Sequence, residues 1–209
     1  MKSHIEKLIE QGEHQQLDFK FEVSDSRKIA RTLVAFANTD GGKLLIGVKD
    51  NGKIAGVRSD EEFYMIEGAA SLYCKPEVKF KTTNWNIGGK TVLEIDIFKN
   101  TQTKHSCKDE QGNWMKYVRV KDQNLLANSV LLKVWEREKN RKAVLIRYSE
   151  TEKILLDYFE ENESISVSKF CKIAQIPRKL AEKILVDLIS LDILKLEISE
   201  LSTSFKLKH

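Results

Sequence analysis

The chain has 209 residues, with 35 lysine and arginine residues against 31 aspartate and glutamate residues, which gives a formal net charge of +4. A hydrophobic fraction of 41% with only 2 prolines and 10 glycines excludes a disordered or fibrous protein. Three scattered cysteines without a C-x-x-C pair, and the absence of a leader-like or long apolar segment, predict a cytoplasmic protein with no membrane association.

The first 121 residues alternate between helical and extended patterns. Hydrophobic spacing and turn residues predict these elements in order: a helix over 5–9, a strand over 17–21, a helix capped by Ser24 or Asp25, strands over 44–48 and 53–57, a helix over 60–73, strands over 77–85 and 91–97, a turn at 109–113 and a strand over 114–121.

The remainder of the chain is predominantly helical. Helical spacing begins at Leu125 and runs to about Tyr148 through a charged stretch at 136–142. The elements predicted after it are a helix over 152–161, a helix beginning at Ser164 or Ser166, a helix with Pro177 in its first turn, and strands over 194–198 and 204–207. Three helices followed by a hairpin is the order of a winged helix, whose third helix enters the DNA major groove.

The small net charge conceals an uneven distribution. Residues 1–103 are balanced, residues 104–148 carry +6 and residues 149–209 carry −2. A basic block of this kind is a candidate surface for a polyanion, although a simple solvated face explains it equally well. The candidate nucleic-acid-binding residues of this block are Lys104, Lys108, Lys116, Tyr117, Arg119 and Lys121.

Alternation along the last predicted strand defines two faces. Tyr117, Arg119 and Lys121 lie on one face, and Val118 and Val120 point to a core on the other. An exposed aromatic side chain between cations can stack a base and neutralise phosphates. A polar sheet face with a packed tyrosine is the alternative.

The predicted third helix of the C-terminal domain carries three further candidate nucleic-acid contacts. Arg178, Lys179 and Lys183 lie near its start, with the two lysines one turn apart. The net charge of −2 over residues 149–209 argues against tight DNA binding by this domain alone. A dimer or partner interface is therefore the alternative.

The densest motif is L-V-A-F-A-N-T-D-G-G-K-L-L-I-G-V over 33–48, with L-D-F-K over 17–20 before it, Asp50 after it and Y-V-R-V over 117–120. Over roughly residues 5–125 the chain resembles the Schlafen AlbA-type domain. The resemblance implies a mixed α+β domain associated with nucleic-acid binding. We therefore predict an α+β fold, with a mixed-sheet AlbA-like domain at 1–123, a helical linker at 124–149 and a small winged-helix domain at 150–209.

The same resemblance implies a metal-dependent nuclease site in the Schlafen branch, which falls on Glu13, Asp18 and Asp50. Asp18 replaces the glutamate usual at its position and is one methylene shorter. Three carboxylates could hold Mg²⁺ or Mn²⁺, and Lys20, two residues from Asp18 on one strand face, could stabilise the transition state. The alternative is that all three are ordinary surface acids.

The sequence G-G-K at 41–43 is incomplete as a phosphate-binding loop. A Walker A motif requires serine or threonine after the lysine, and Leu44 stands there. No nucleotide cofactor is expected, and the two glycines are interpreted as a helix stop and a tight entry to the next strand.

Three functions follow as hypotheses. The preferred one is a nucleic-acid-binding protein, with DNA favoured over RNA, acting in transcription regulation. The alternatives are a metal-dependent nuclease and a protein-interaction module that forms a homodimer through the winged helix.

Overall fold

The computed structural model describes residues 2–140 and 148–208, and it divides the chain into two compact units, 1–127 and 128–209. We call these the N-terminal unit and the C-terminal unit. Within the described ranges, no helix is long and apolar enough to cross a lipid bilayer.

The N-terminal unit mixes helices with short strands. Its elements in chain order are α1 (His4–Ile9), β1 (Leu17–Lys20), α2 (Ser26–Asn38), β2 (Gly42–Ile46), α3 (Glu61–Leu72), β3 (Cys74–Lys75), β4 (Phe80–Ile87), β5 (Lys90–Ile97), β6 (Ser106–Lys108), β7 (Trp114–Met115), β8 (Tyr117–Val120) and β9 (Gln123–Leu126).

The strands of this unit form one larger sheet and two small ones. The larger sheet has the order β1-β2-β5-β4, with β1 parallel to β2 and the other neighbours antiparallel. The small sheets are β3-β6-β7 and the hairpin β8-β9. This arrangement confirms the prediction of an α+β fold with a mixed sheet.

Helix α2 is the central element of the N-terminal unit. Asp25 caps it, as one of the two predicted caps, by accepting a hydrogen bond from the Arg27 backbone N–H. The helix is almost fully buried from Ile29 to its end, and it packs against α3, β6 and β8. The helix is buried on several sides, and its last residues, around Asn38, lie between the larger sheet and the small ones.

Three predicted elements of this unit differ from the structure. The single strand predicted over 114–121 is divided into β7, which pairs with β6, and β8, which pairs with β9. The stretch 53–57 contains a single bridge between Val48 and Ile54 rather than a strand, because Gly56 has φ +84° and breaks the extended conformation. The helix predicted from Leu125 is preceded by β9, which pairs with β8 and satisfies its backbone. Helical spacing alone did not reveal this pairing, which depends on a neighbouring strand.

The C-terminal unit contains four described helices and a hairpin: α4 (Ser129–Asn140), α5 (Glu150–Glu161), α6 (Val167–Ala174), α7 (Arg178–Ser190), β10 (Leu194–Ile198) and β11 (Thr203–Leu207). Ser166 caps α6, and Pro177 stands immediately before α7. The last three helices and the hairpin follow one another in the predicted order.

Helix α4 lies in the segment that the sequence predicted as a linker between domains. In the structure it belongs to the C-terminal unit, because Val130 and Val134 are buried in that unit's core and α4 packs against α7. The part of the predicted linker at 141–147 lies outside the described residues.

Candidate functional site

Two of the predicted catalytic acids lie together in a polar cluster beneath the surface. Asp18 on β1 is buried, and its Oδ1 lies 3.1 Å from Lys20 Nζ and 3.6 Å from Arg119 Nη2. Glu13 hydrogen-bonds to Asp18, and its Oε1 accepts a hydrogen bond of 2.8 Å from the Phe19 backbone N–H. The cluster therefore contains two carboxyl groups and two cations that largely satisfy one another.

The environment of Glu13 favours its protonated form. Burial raises its pKa most, and the hydrogen bond to Asp18 and the charge of Asp18 raise it further. The Phe19 N–H and the charge of Lys20 act in the opposite direction, and the net result is a pKa of about 7. Glu13 can therefore hold a proton near neutral pH, and its protonated carboxyl group can donate a hydrogen bond to Asp18.

The three residues predicted as metal ligands do not fit a metal site. Among residues 2–140 and 148–208, no group of three or more histidine, cysteine, aspartate or glutamate side chains is placed to hold a metal ion, so Asp50 does not join Glu13 and Asp18. Lys20 also donates to the Phe19 carbonyl at 2.7 Å, which fixes its ammonium inside the cluster. Asp18 already has cationic partners where a metal would need free carboxylate oxygens.

Arg119 does not lie on an exposed face, contrary to the expectation from strand alternation. Its side chain is 1% exposed, because Nη1 donates to Asn124 Oδ1 at 3.1 Å and Nη2 donates to the Leu17 carbonyl at 3.2 Å. The guanidinium also lies 4.9 Å from the centre of the Phe36 ring. Arg119 is therefore a structural cation and is not available to a nucleic acid.

The neighbours of Arg119 on the same strand differ in exposure. Tyr117 is half-buried against the core, with the Arg31 guanidinium 5.1 Å from its ring centre. Lys121, just beyond β8, is exposed, and Lys116, just before it, is half-buried. The alternative interpretation of a packed tyrosine thus describes Tyr117 better than a free stacking surface.

Asn38 and Thr39, which belong to the motif over 33–48, hold strand β8 in place. The Asn38 amide donates to the Tyr117 carbonyl at 3.0 Å and to the His105 carbonyl at 2.9 Å, and its oxygen accepts from the His105 N–H at 2.8 Å. Thr39 Oγ1 accepts a 2.9 Å hydrogen bond from the Arg119 N–H. The end of α2 therefore docks β8 and the segment before β6 through their backbone atoms.

The two glycines after Thr39 serve packing. Gly41 has φ +70°, and a Cβ there would lie 2.7 Å from the Ile97 carbonyl oxygen. A Cβ on Gly42 would lie 2.7 Å from the Phe36 ring. Because the Gly41 N–H already donates to the Phe36 carbonyl, the structure supports the interpretation as a helix stop and strand entry.

Lysines on the small sheets of the N-terminal unit remain available. Lys104 donates to the Asn38 carbonyl at 3.2 Å. In the part of the chain that the structure describes, Lys108, Lys116 and Lys121 form no ion pair with a carboxylate. These three predicted residues therefore retain their charge for a partner.

Sequence reasoning missed two exposed residues beside Lys108. Trp114 on β7 is 43% exposed and pairs in register with Lys108, whose Nζ lies 5.2 Å from the ring centre. Lys75 on β3 reaches the same ring at 5.9 Å. The turn predicted at 109–113 could have placed Trp114 opposite Lys108, but Lys75 arrives through a long-range pairing that no local pattern predicts.

Several cations of the C-terminal unit are paired with acids. Glu182 on α7 is buried, and it accepts hydrogen bonds from Arg178 Nε at 2.9 Å, from Lys133 and from Ser129. Burial alone would raise the pKa of Glu182, but these hydrogen bonds hold it below its ordinary value. Arg137 on α4 pairs in the same way with Asp187.

Of the three residues predicted on the third helix, two remain free. Lys179 and Lys183 are exposed and, within the described ranges, have no carboxylate partner, whereas Arg178 is held by Glu182. Helix α4 packs against α7 beside Glu182. The part of α7 that could enter a DNA groove is therefore the side that carries Lys179 and Lys183.

Comparison with protein families gave two matches. The model described as Schlafen, AlbA_2 matches residues 13–128, and the model of the PCI domain matches residues 138–207. No curated protein matches the chain.

Two solved structures are similar over the larger part of the chain. One is the DIP2311 protein from Corynebacterium diphtheriae, with 20% identity and a TM-score of 0.45; the match covers 60% of this chain and 28% of that protein. The other is the N-terminal domain of a protein from Nitrosomonas europaea described as related to the ATP-dependent DNA helicase RecG, with 20% identity and a TM-score of 0.39. That match covers 62% of this chain and 97% of the domain.

Proposed function

The chain belongs to the Schlafen AlbA_2 family, and from this premise we propose that it is a nucleic-acid-binding protein that favours DNA over RNA. The observation that carries the proposal is the set of lysines on the small sheets of the N-terminal unit. Lys108, Lys116 and Lys121 have no carboxylate partner in the described chain, and the end of α2 holds the neighbouring strand β8 in a fixed position.

A polyanion binds best to ammonium groups that have no carboxylate partner and that lie on a backbone already held in position. Each lysine that neutralises a DNA phosphate releases a condensed counterion, so affinity falls steeply as salt rises. A lysine already paired with a carboxylate contributes less, because the carboxylate must first be displaced. The N-terminal unit is therefore the expected centre of phosphate contact.

The C-terminal unit supports a role in transcription regulation. Its last three helices and hairpin have the order of a winged helix, and Lys179 and Lys183 are exposed near the start of the third. In this proposal the C-terminal unit orients the protein on duplex DNA, and most of the affinity comes from the N-terminal unit. Homodimerisation through this unit stays a prediction.

Salt titration of DNA binding tests the proposal. We compare the full chain with the triple variant Lys108→Gln, Lys116→Gln and Lys121→Gln on a labelled duplex, measuring the dissociation constant over a range of salt concentrations. The slope of log affinity against log salt should decrease in magnitude by about 2.7 in the variant, at about 0.9 per lost phosphate contact.

A matched variant removes the same charge elsewhere. Lys28, Lys53 and Lys81 are exposed lysines of the same unit that lie outside the small sheets. Their triple replacement by glutamine should leave most of the slope intact. An equal decrease in both triple variants, or binding by the unaltered protein no tighter than that of a neutral protein at low salt, contradicts the proposal.

A further inference from the structure

We propose that Trp114, flanked by Lys75 and Lys108, is a stacking platform for an unpaired base of a single-stranded nucleic acid. This inference rests on the proposed function and adds to it the state of the nucleic acid: a single strand, or an unpaired segment, in place of a continuous duplex. The site lies on the exposed face of the sheet β3-β6-β7.

The register of the three strands brings these side chains to one face. Lys108 is opposite Trp114 across the β6-β7 pair, and Lys75 is opposite Ser106 across the β3-β6 pair. Since side chains alternate along a strand, Ser106 and Lys108 point the same way. The platform therefore consists of an indole with an ammonium group from each of two strands.

The opposite face of the sheet anchors the platform. Cys74 and Cys107, which are cross-strand partners, are both buried in the core of the N-terminal unit. Cys74 Sγ donates to the Ala30 carbonyl of α2. The strands that carry Lys75 and Lys108 are thus packed against a buried helix, so a bound base would meet a surface that is already ordered.

The exposure and the charge of this face match the chemistry of a single strand. Trp114 leaves 43% of its surface in water, so part of the indole is accessible to a base. The Lys75 and Lys108 Nζ atoms lie over the Trp114 ring, 5.9 Å and 5.2 Å from its centre, so a base that stacks on the indole would displace them toward its neighbouring phosphates. Base stacking on aromatic side chains combined with backbone neutralisation is the usual mode of single-strand binding.

Asp109, the acid next to Lys108 on the hairpin, does not neutralise the platform. The Asp109 carboxylate accepts hydrogen bonds from the backbone N–H groups of Gln111 and Asn113, so it faces the turn. Neither Lys75 nor Lys108 forms an ion pair with a carboxylate in the described residues. The charge complementarity thus favours a polyanion over an apolar protein segment as the occupant.

A duplex cannot use this surface in the same way. Its bases are stacked on one another and paired, so an indole on a sheet face meets the sugar-phosphate backbone instead. Loss of Trp114 should therefore reduce the affinity for single strands selectively, whereas loss of a lysine should reduce both affinities.

The experiment measures fluorescence anisotropy of labelled oligonucleotides with the full chain at low salt. The probes are an oligothymidylate and an oligouridylate of about 12 nucleotides, within the range of single-strand site sizes, and a duplex of the same length. Trp114→Ala should weaken binding of both single strands by about tenfold or more and leave duplex binding within about twofold. Trp114→Phe, which keeps an aromatic face, should retain most of the affinity.

Tyr64→Ala is the matched control. Tyr64 is 65% exposed in the same unit, and in the described chain no lysine or arginine lies over its ring. This variant should bind all three probes as the unaltered protein does. A second measurement covers the case in which Trp114→Ala does not fold: a single strand should quench the tryptophan emission of the unaltered protein, and the part of this quenching due to Trp114 should be lost in Trp114→Phe.

The outcomes separate the two proposals. If the unaltered protein binds neither duplex nor single strands at low salt, the proposed function fails. If it binds nucleic acid and folded Trp114→Ala binds single strands equally well, or loses duplex and single-strand affinity to the same extent, the platform is overturned and the proposed function stands. The two single-stranded probes decide between DNA and RNA as the source of the base.

Discussion

The N-terminal and C-terminal units differ in how their cations are paired with acids. The N-terminal unit buries one arginine, Arg119, against Asp18 and leaves Lys108, Lys116 and Lys121 without acidic partners in the described chain. The C-terminal unit instead ties Lys133 and other cations of α4 and α7 to acids of α7. Lys133 and Arg137 are therefore less available to a polyanion than their place in a basic segment suggests, because availability depends on pairing in three dimensions.

This contrast changes the meaning of the charge block at 104–148. Its +6 belongs to two units: residues 104–127 hold 5 basic and 3 acidic residues, and residues 128–148 hold 6 basic and 2 acidic residues. In the second part Lys133 and Arg137 are neutralised by α7. A net charge counted along the sequence therefore overstates the surface that a polyanion can contact.

The largest expected effect comes from breaking the buried pair. Replacing Arg119 by methionine leaves the buried Asp18 without its guanidinium partner and leaves the Leu17 carbonyl without a donor. The free energy of unfolding of the N-terminal unit should fall by about 3–5 kcal/mol. Chemical denaturation of the full chain, followed by circular dichroism, measures this loss.

The control for that variant is Lys121→Gln, which removes a charge from the exposed end of the same segment. Its effect on unfolding should stay within about 0.5 kcal/mol. Comparable losses for the two variants would show that Arg119 is not the structural cation described above.

A smaller effect should follow from releasing the cations of the C-terminal unit. Glu182→Gln removes the buried charge that holds Lys133 and Arg178, and the unfolding free energy of this unit should fall by about 1–3 kcal/mol. The freed cations should at the same time increase the affinity of the chain for DNA at low salt. Both quantities are measured on one preparation, by denaturation and by anisotropy.

Glu163→Gln supplies the comparison for this variant. Glu163 is exposed in the same unit, so its replacement changes the net charge equally without releasing a buried pair. If the two variants gain the same DNA affinity, net charge alone governs binding and the contrast between paired and free cations has no functional meaning.

Single lysine replacements sharpen the contrast further. Lys116→Gln should reduce the magnitude of the salt slope for duplex DNA by about 0.9, since one phosphate contact is lost. Lys133→Gln should leave the slope nearly unchanged, because Glu182 already neutralises that lysine. Parallel salt titrations of the two variants measure both slopes. A larger change for Lys133→Gln than for Lys116→Gln would contradict the assignment of Lys116 as a free cation and Lys133 as a paired one.

A further expected effect is a pH dependence of the N-terminal unit. The folded-state pKa of Glu13 is raised to about 7, above its unfolded value near 4.5. Its contribution to stability is therefore greatest at the acid end and is lost as pH rises from the unfolded pKa through the folded one. In Glu13→Gln the unfolding free energy should vary less between those pH values.

The pH series has an internal reference in the C-terminal unit. Because the pKa of Glu182 is lowered in the folded state, its contribution to stability is present above the unfolded pKa and is lost as pH falls through the folded one. The contributions of Glu13 and Glu182 to stability should thus respond to acid in opposite directions. A Glu13→Gln profile parallel to that of the unaltered protein would contradict the assignment of a raised pKa.

Local sequence patterns predicted the elements whose position and boundaries depend on residues near one another in the chain. The apolar face of α2, its cap at Asp25 and the glycines that end it are all visible in the chain, and the α+β prediction and the Schlafen AlbA resemblance are confirmed. The winged-helix interpretation stays a prediction, although the order of its elements is present. Turn residues at 109–113 likewise marked the β6-β7 hairpin correctly.

Features that depend on distant partners could not be predicted. Alternation divided β8 into two faces, yet Val118 and Arg119 are both buried, because the strand lies between α2 and the cluster around Asp18. Lys75 reaches Trp114 only through the pairing of β3 with β6. The proximity of Glu13 and Asp18 followed from the family resemblance and that of Lys20 from strand alternation, but the ion pair of Asp18 with Arg119 did not.

The docking of β8 has a consequence for how its surface can be altered. Asn38, Thr39 and Gln15 hold this strand through the main-chain atoms of Tyr117, Arg119 and Lys121. These hydrogen bonds do not depend on which exposed side chains the segment carries. Residue 116 can therefore be exchanged for acidic, neutral or aromatic ones while the backbone keeps its position, whereas position 121, with φ +57°, favours asparagine, aspartate or glycine. The segment is thus a suitable place to redesign ligand preference without redesigning the fold.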